Sequence, residues 1–320
     1  MRWIALLALA VMLLAVGAVL WRRESAPGDA PLAASGYVIV DVDGKIVYRG
    51  EMRSFTEWGK QVWAARLITF TPDFPACIFH PYFMRVGFHA GGGAGYSDSF
   101  VARAYGYNST HVWVTVTCVF YADSDLTLNW VSLVEVYGVD GNPHAVTNDT
   151  LPSIQVPRGS VYSVVIAIYW RDYGALTVNF AKYILSLMPE PHVYWTVVTR
   201  SGENVSLFFF GPRGYPWTCN DGLPWYSGSG STRMYLIVSN RSNPPPPSRS
   251  DYDMPEVARY PVSYSLTGKG VAIAATIQVE ATEVGLIVRH LDDREVLLMR
   301  WVPPQPIQPG TTVRIFLLPP

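Results

Sequence analysis

Lysine is nearly absent: four residues (Lys45, Lys60, Lys182, Lys269) stand against twenty arginines in a chain of 320. Charge of either sign is scarce at 15%, where an average soluble domain carries about 25%. The formal net charge is -1, so no basic field is present to hold a nucleic-acid backbone, and nucleic acid is not expected as a partner. Cysteine is limited to Cys77, Cys118 and Cys219, an odd set that makes no disulfide framework. Cys77 with Cys118 is the disulfide candidate, and three buried thiols are the alternative. No G-x-S-x-G elbow occurs, and the glycine run from Gly91 to Gly95 is not followed by Lys-Ser/Thr, so neither a nucleophile elbow nor a phosphate cradle is present. Cys77-x-x-His80 with His89 lacks the second close pair of a structural zinc site, so no metal and no cofactor are expected. Glu57 with Asp73, or Glu283 with Asp292 or Asp293, are the acids a polysaccharide hydrolase would use, but nothing around them is distinctive. The chain is not expected to be an enzyme.

What is present begins with an uncharged run from Trp3 to Leu20, WIALLALAVMLLAVGAVL, flanked by Arg2 and by Arg22 and Arg23. Its eighteen residues are close to the ~20 that span a bilayer, and they exceed the usual core of a signal peptide. Residues 1–24 are therefore expected to anchor the chain as an N-terminal transmembrane helix, with a cleaved signal as the alternative. Residues 25–35 (SAPGDAPLAAS) form a small-residue linker. Four Asn-x-Ser/Thr triplets follow, at Asn108, Asn148, Asn204 and Asn240, in turn-like contexts that suit glycosylation outside the cytoplasm.

Beyond the linker the chain reads as short β-branched and aromatic runs broken by Gly, Pro, Asn and Asp. Tyr37 to Gly50 reads as a hairpin turning at Asp43-Gly44, and His111 to Tyr121 alternates with Val112, Val114, Val116 and Cys118 on one face. Helices are expected only near Phe55 to Phe70 and Leu176 to Leu187. Four segments are echoed in order at offsets of roughly 150 residues. Tyr37 to Gly44 is echoed by Tyr194 to Gly202, and Val101-Ala-Arg103 by Val257-Ala-Arg259. Val134-Glu135-Val136 is echoed by Glu283-Val284, and Ile154 to Gly159 by Ile307 to Gly310. The fold class is all-β: two tandem antiparallel β-sandwich modules at 36–186 and 190–320, joined at Met188-Pro189-Glu190-Pro191. Within each module the recurring charges, Arg103 with Glu135 and Arg259 with Glu283, are expected to pair.

Trp217, Trp225 and Tyr226 lie in a loop-like stretch of the second module, where they would stack on glycans or hold a protein partner. The scarcity of lysine beside many Tyr, Trp, Val and Pro resembles surface proteins of thermophilic archaea. The second module also resembles β-sandwich modules of tail and fibre proteins in bacteriophages and archaeal viruses. The likeness lies in an opening strand, a Pro/Ser/Asp-rich loop, Glu256 before Val257-Ala-Arg259, the Glu283-Val-Gly-Leu286 strand and a closing Pro309-Gly310 hairpin. That resemblance implies a structural or attachment module. The expectation is a membrane-anchored, extracytoplasmic structural or adhesion protein that meets the membrane through residues 3–20 and assembles with itself or with other proteins. A carbohydrate-binding or carbohydrate-processing surface protein and an accessory subunit of a membrane complex are the alternatives.

Overall fold

Asp43 and Gly44 reverse the chain with φ angles of 51° and 83°, the pair of positive values that a two-residue type I′ hairpin requires. This turn joins β1 (Ala33–Val42) to β2 (Lys45–Glu51), as the sequence predicts. The computed structural model describes residues 33–51, 56–57, 84–90, 93–96, 101–135, 144–145, 147–187, 195–207, 233–267, 270–290 and 293–318. The expected span at 3–20 and the joint at 188–191 lie outside those residues, as does the expected helix near Phe55 to Phe70 apart from 56–57. Among the described residues no helix is long and apolar enough to cross a membrane.

Among the described residues the architecture is mostly antiparallel β with one helix of several turns. In the first half, β1 pairs with β10 (Val161–Arg171), which pairs with β6 (His111–Tyr121), which pairs with β5 (Val101–Tyr107), giving the order β2-β1-β10-β6-β5. β10 is buried on both faces from Tyr162 to Trp170, matching its unbroken apolar run. A second sheet contains β3 (Met84–Ala90), β4 (Gly93–Tyr96), β7 (Leu126–Glu135), β8 (His144–Ala145) and β9 (Asp149–Val156), in the order β4-β3-β7-β8 with β9 also on β7. Helix α1 (Val178–Leu187) follows, close to its expected bounds.

The second half holds β11 (Trp195–Val198), β12 (Asn204–Leu207), β13 (Arg233–Ser239), β14 (Ala258–Pro261) and β15 (Ser263–Thr267). β16 (Gly270–Thr276), β17 (Glu283–Arg289), β18 (Glu295–Trp301) and β19 (Thr312–Leu318) complete it. Its sheets are β11-β12, β14-β13-β17-β18 and β15-β16-β19. One hydrophobic core runs through both halves, from Val38, Val114 and Ile166 through Trp170 and Phe180 of α1 to Leu236, Leu286 and Ile315.

With the short β8 set aside, the pairings of the first half recur in the second, strand by strand. β1-β2 matches β11-β12, β3-β4 matches β13-β14, and β3-β7 matches β13-β17. β5-β6 matches β15-β16, β6-β10 matches β16-β19, and β7-β9 matches β17-β18. The β1-β10 ladder has no counterpart between β11 and β19 among the described residues. Two of the sequence echoes fall on equivalent turns. Gly44 and Gly202 turn the first hairpins at φ 83° and 85°. Gly159 and Gly310 precede the last strands at φ 89° and 85°, donating their N–H to Ala122 and Ile277 just past the equivalent strands β6 and β16.

The other two echoes need correction. Arg103 is on β5, whose counterpart is β15, whereas Arg259 is on β14. Glu135 ends β7 while Glu283 begins β17, so the acids sit at opposite ends of equivalent strands. The physical reason is specificity. A φ of 83–89° strongly favours glycine, but any half-buried strand can read Val-Ala-Arg or Glu-Val.

At Gly285 of β17 three elements approach closely: an added Cβ would meet Met254 Sδ at 2.5 Å, Ile237 Cγ1 at 2.9 Å and Leu297 Cδ1 at 3.2 Å. Gly285→Ala is expected to cost about 1–3 kcal/mol by overpacking. Thermal melting of the variant checks this, and an unchanged midpoint contradicts the packing.

Candidate functional site

Between β13 and β14 the chain runs from Asn240 to Val257 without regular secondary structure, in the place where the first half has only the short β3-β4 connection. Its sequence NRSNPPPPSRSDYDMPEV contains five prolines, each of which removes freedom from the unfolded chain. The sequence suggests that these two connections are variable surface loops. The second is instead a strap, held at three points by arginine and plugged by Met254, which is 2% exposed against Ile237, Ile287 and Leu297.

The deepest clamp joins β17 and β18 to the strap. Glu283 is fully buried and accepts from Arg300 Nε (3.0 Å) and from Arg241 Nε and Nη2 (3.2 and 2.7 Å). Arg300 stands opposite Gly285 in the ladder, and it also donates to Asp251 Oδ2 at 2.8 Å and to the Pro245 carbonyl at 2.7 Å. Burial pushes the Glu283 carboxyl up, but hydrogen bonds from Arg241, Arg300 and Ser239 outweigh it and hold the group below its ordinary value. Arg300 is likewise pushed down by burial and raised, on balance, by Asp251 and Glu283. Two guanidinium groups thus meet two carboxylates, and the buried cluster is neutral.

The second clamp crosses between the halves. Asp172, just after β10, receives both terminal nitrogens of Arg249. Arg249 also donates to the Leu176 carbonyl at 2.7 Å and, through Nε, to the Asn108 carbonyl at 2.9 Å. Its own carbonyl accepts from Val178 N, supplying a partner to the first turn of α1. Beside it, Leu176 bridges Met299 on β18, Thr177 N donates to the Leu298 carbonyl (2.9 Å) and Arg300 N to the Ala175 carbonyl (2.8 Å). The joint between the halves is therefore bonded along β18 as well as through the chain.

The third clamp lies nearer the surface. Arg200, in the β11-β12 turn, binds Asp253 (2.7 Å), Glu256 (2.7 Å) and Glu295 (2.9 Å). Arg259 binds Glu256 (2.7 Å) and Glu295 (2.6 Å) and lies over the Tyr235 ring. Burial raises the Glu256 carboxyl, but Arg259 and Arg200 lower it further, so it too is held ionised. A general acid needs the opposite shift. What these groups do is fix backbone.

Arg259 and Glu283 do not pair: β13 lies between their strands, and each is saturated by other partners. Arg103 and Glu135 stand on strands of different sheets, and their side chains lie outside the described residues. Of the acids weighed with Glu283, Asp293 is a turn residue at φ 68° bound to Arg289, and Asp292 lies outside the described residues. Cys118 is buried on β6, while Cys77, Cys219, His80, Asp73, Trp217, Trp225 and Tyr226 lie outside the described residues. Among the described residues no three His, Cys, Asp or Glu side chains converge as metal ligands. Asn148, Asn204 and Asn240 are exposed, and Asn108 is half-buried. The residues that sequence reasoning passed over are Asp172, Arg200, Arg241, Arg249 and Arg300. Two of these arginines flank the proline run, and the excess of arginine over lysine was the available signal. No protein-family model, curated protein or solved structure matches the chain.

Removing the Glu283 charge strands two partly or fully buried guanidinium groups, so Glu283→Gln is expected to lose about 3–5 kcal/mol of stability. Glu283 and Glu256 are both depressed, so their contribution is fully present above the ordinary carboxyl value of 4.5 and is lost as pH falls through their lower folded values. Melting curves from pH 7 to pH 3 check both points. The acid limb of Glu283→Gln should be shallower than that of the parent chain.

Proposed function

We propose that this chain is a membrane-anchored, extracytoplasmic structural or adhesion protein. In this reading two tandem antiparallel β-sandwich modules follow an N-terminal transmembrane helix and work as one stiff body. The observation that carries it is the strap. Arg300, Arg249 and Arg200 tie one proline-rich loop to β17 and β18, to the end of the first half and to the β11-β12 turn. Charges spent on neutral, inward-facing clusters favour rigidity over turnover. The uncharged run at 3–20 supports the anchor, and the four Asn-x-Ser/Thr triplets support an external location. The likeness of the second half to tail and fibre modules supports attachment over catalysis. Self-assembly or a protein partner would use the outer surface of the welded pair.

Carbonate-washed native membranes are expected to retain the full chain, and electron micrographs of them to show it in filaments or a lattice. Particles of the purified chain should keep one fixed angle between halves, and Arg249→Ala should broaden that angle. Scattered monomers together with a positive glycan array would favour the carbohydrate-binding alternative instead. Recovery only of a soluble form starting near Ser35 would remove the anchor.

A further inference from the structure

The four Asn-x-Ser/Thr triplets are chemically alike in sequence, but the fold makes them unequal. An acceptor asparagine must present its amide nitrogen, and a hydroxyl two residues on, to an enzyme that engages both. Exposure alone is not enough; the side chains must also be released from their own hydrogen bonds.

Asn108 fails on both counts. Its Oδ1 accepts from Thr110 N (2.8 Å), Thr110 Oγ1 (3.1 Å) and His111 N (2.8 Å), so one side chain organises the whole β5-β6 turn. The Thr110 hydroxyl is also in contact with His111 Nδ1, and Arg249 of the second half sits on the Asn108 carbonyl. Asn148 is exposed, but its Oδ1 is bonded to the Trp130 indole, and Thr150 is in the β7-β9 ladder. Asn240 and Ser242 are exposed, but Arg241 between them is held by both oxygens of buried Glu283. Lifting that triplet into an active site would break the deepest clamp of the strap.

Asn204 differs from all three. It opens β12 two residues after the Gly202 turn, in a hairpin whose residues 201–204 are exposed. Asn204 and Ser206 lie on one face of the strand at its two-residue period, both exposed, and neither side chain makes a hydrogen bond among the described residues. β12 pairs only with β11 among the described residues, so an approaching enzyme meets an extended segment at a sheet edge.

We infer that Asn204 is the N-glycan acceptor of this chain, taking an oligosaccharide from a lipid-linked phosphate donor. In the transfer, a bond forms between Asn204 Nδ2 and the anomeric carbon of the sugar. The bond from that carbon to the carrier phosphate oxygen breaks, the phosphate leaves with the electron pair, and Nδ2 gives up one proton. A glycan there would also cover the side of β12 that faces away from β11 and block edge-to-edge association. The inference rests on the extracytoplasmic reading for its occurrence in the cell, but not for the chemistry of the site.

The test uses the folded full chain in detergent with a purified oligosaccharyltransferase that requires only the Asn-x-Ser/Thr triplet, its lipid-linked oligosaccharide donor, and site-resolved glycopeptide mass spectrometry. Asn204 should be modified, and Asn108 at least about fivefold more slowly, the factor that breaking a single net hydrogen bond imposes. Synthetic peptides spanning each triplet should erase the difference, and Asn204→Gln should remove the main product. An unmodified Asn204 on the folded chain, or Asn108 modified as fast, overturns the inference. Protease accessibility in sealed native vesicles reports sidedness separately. A shielded body would end the extracytoplasmic reading while leaving the result for the site standing.

Discussion

Glu283 has no solvent exposure, yet it is ionised, and the second half of the molecule is arranged around that fact. A lone carboxylate so placed would cost several kcal/mol. Here one oxygen takes two donors from Arg300 and the pair of oxygens takes two more from Arg241, so its acceptor capacity is filled. Arg300 then has donors left, and these reach Asp251 and the carbonyls of Pro245 and Pro246. A backbone that would otherwise lose about 1–2 kcal/mol of entropy per ordered residue is thereby given fixed partners in the middle of its length. The prolines make the demand smaller, and Met254 adds apolar burial over Gly285. Ion cluster, proline run and glycine are three parts of one solution.

That β11 and β19 form no ladder among the described residues follows from the same economy of partners. In the first half β1 lies along β10 for ten residues. In the second, the equivalent hairpin is held elsewhere. Asn179 of α1 exchanges hydrogen bonds with Val198, Lys182 donates to the Thr196 carbonyl, and Arg200 N donates to Glu295 on β18. The Trp195 ring meets Tyr105 of β5 edge-on at 5.8 Å. The hairpin has become part of the junction, where it helps bond two repeats into one core. A repeat that keeps its strand order but gives up one ladder gains an interface in return.

Legibility in the sequence tracked how narrowly physics restricts each residue. The Asp43-Gly44 hairpin, the buried face of β6 and the short helix near Leu176 to Leu187 were readable because turn chemistry and hydrophobic period admit few alternatives. The repeat was readable at Gly159 and Gly310, where a φ of 89° and 85° strongly favours glycine, and misleading at Arg103 and Glu135, where many types fit. The strap was visible as composition, an Asn-Pro-Pro-Pro-Pro run, but its partners were not. Asp172 lies 77 residues from Arg249, and Glu283 lies 42 from Arg241. No local pattern encodes a pairing across that distance.

The scarcity of lysine, which looked at first like a mark of source, has a reading in the geometry. Each clamp asks one side chain to serve three or four acceptors in different directions. Arg249 reaches both oxygens of Asp172 and two carbonyls, and Arg200 reaches three carboxylates and the Met254 carbonyl. A guanidinium has five N–H donors in a rigid plane and can do this in one rotamer, while an ammonium has three donors around a point and is more strongly hydrated. Lysine at position 249 could neutralise Asp172 but would leave the Asn108 or Leu176 carbonyl without a partner in a mostly buried site. In a chain with so few charges, Arg200, Arg241, Arg249, Arg259 and Arg300 act as connectors and not only as solubilising groups. Arginine is the residue that can do so, and at these five positions the preference for it over lysine follows from the geometry of the clamps.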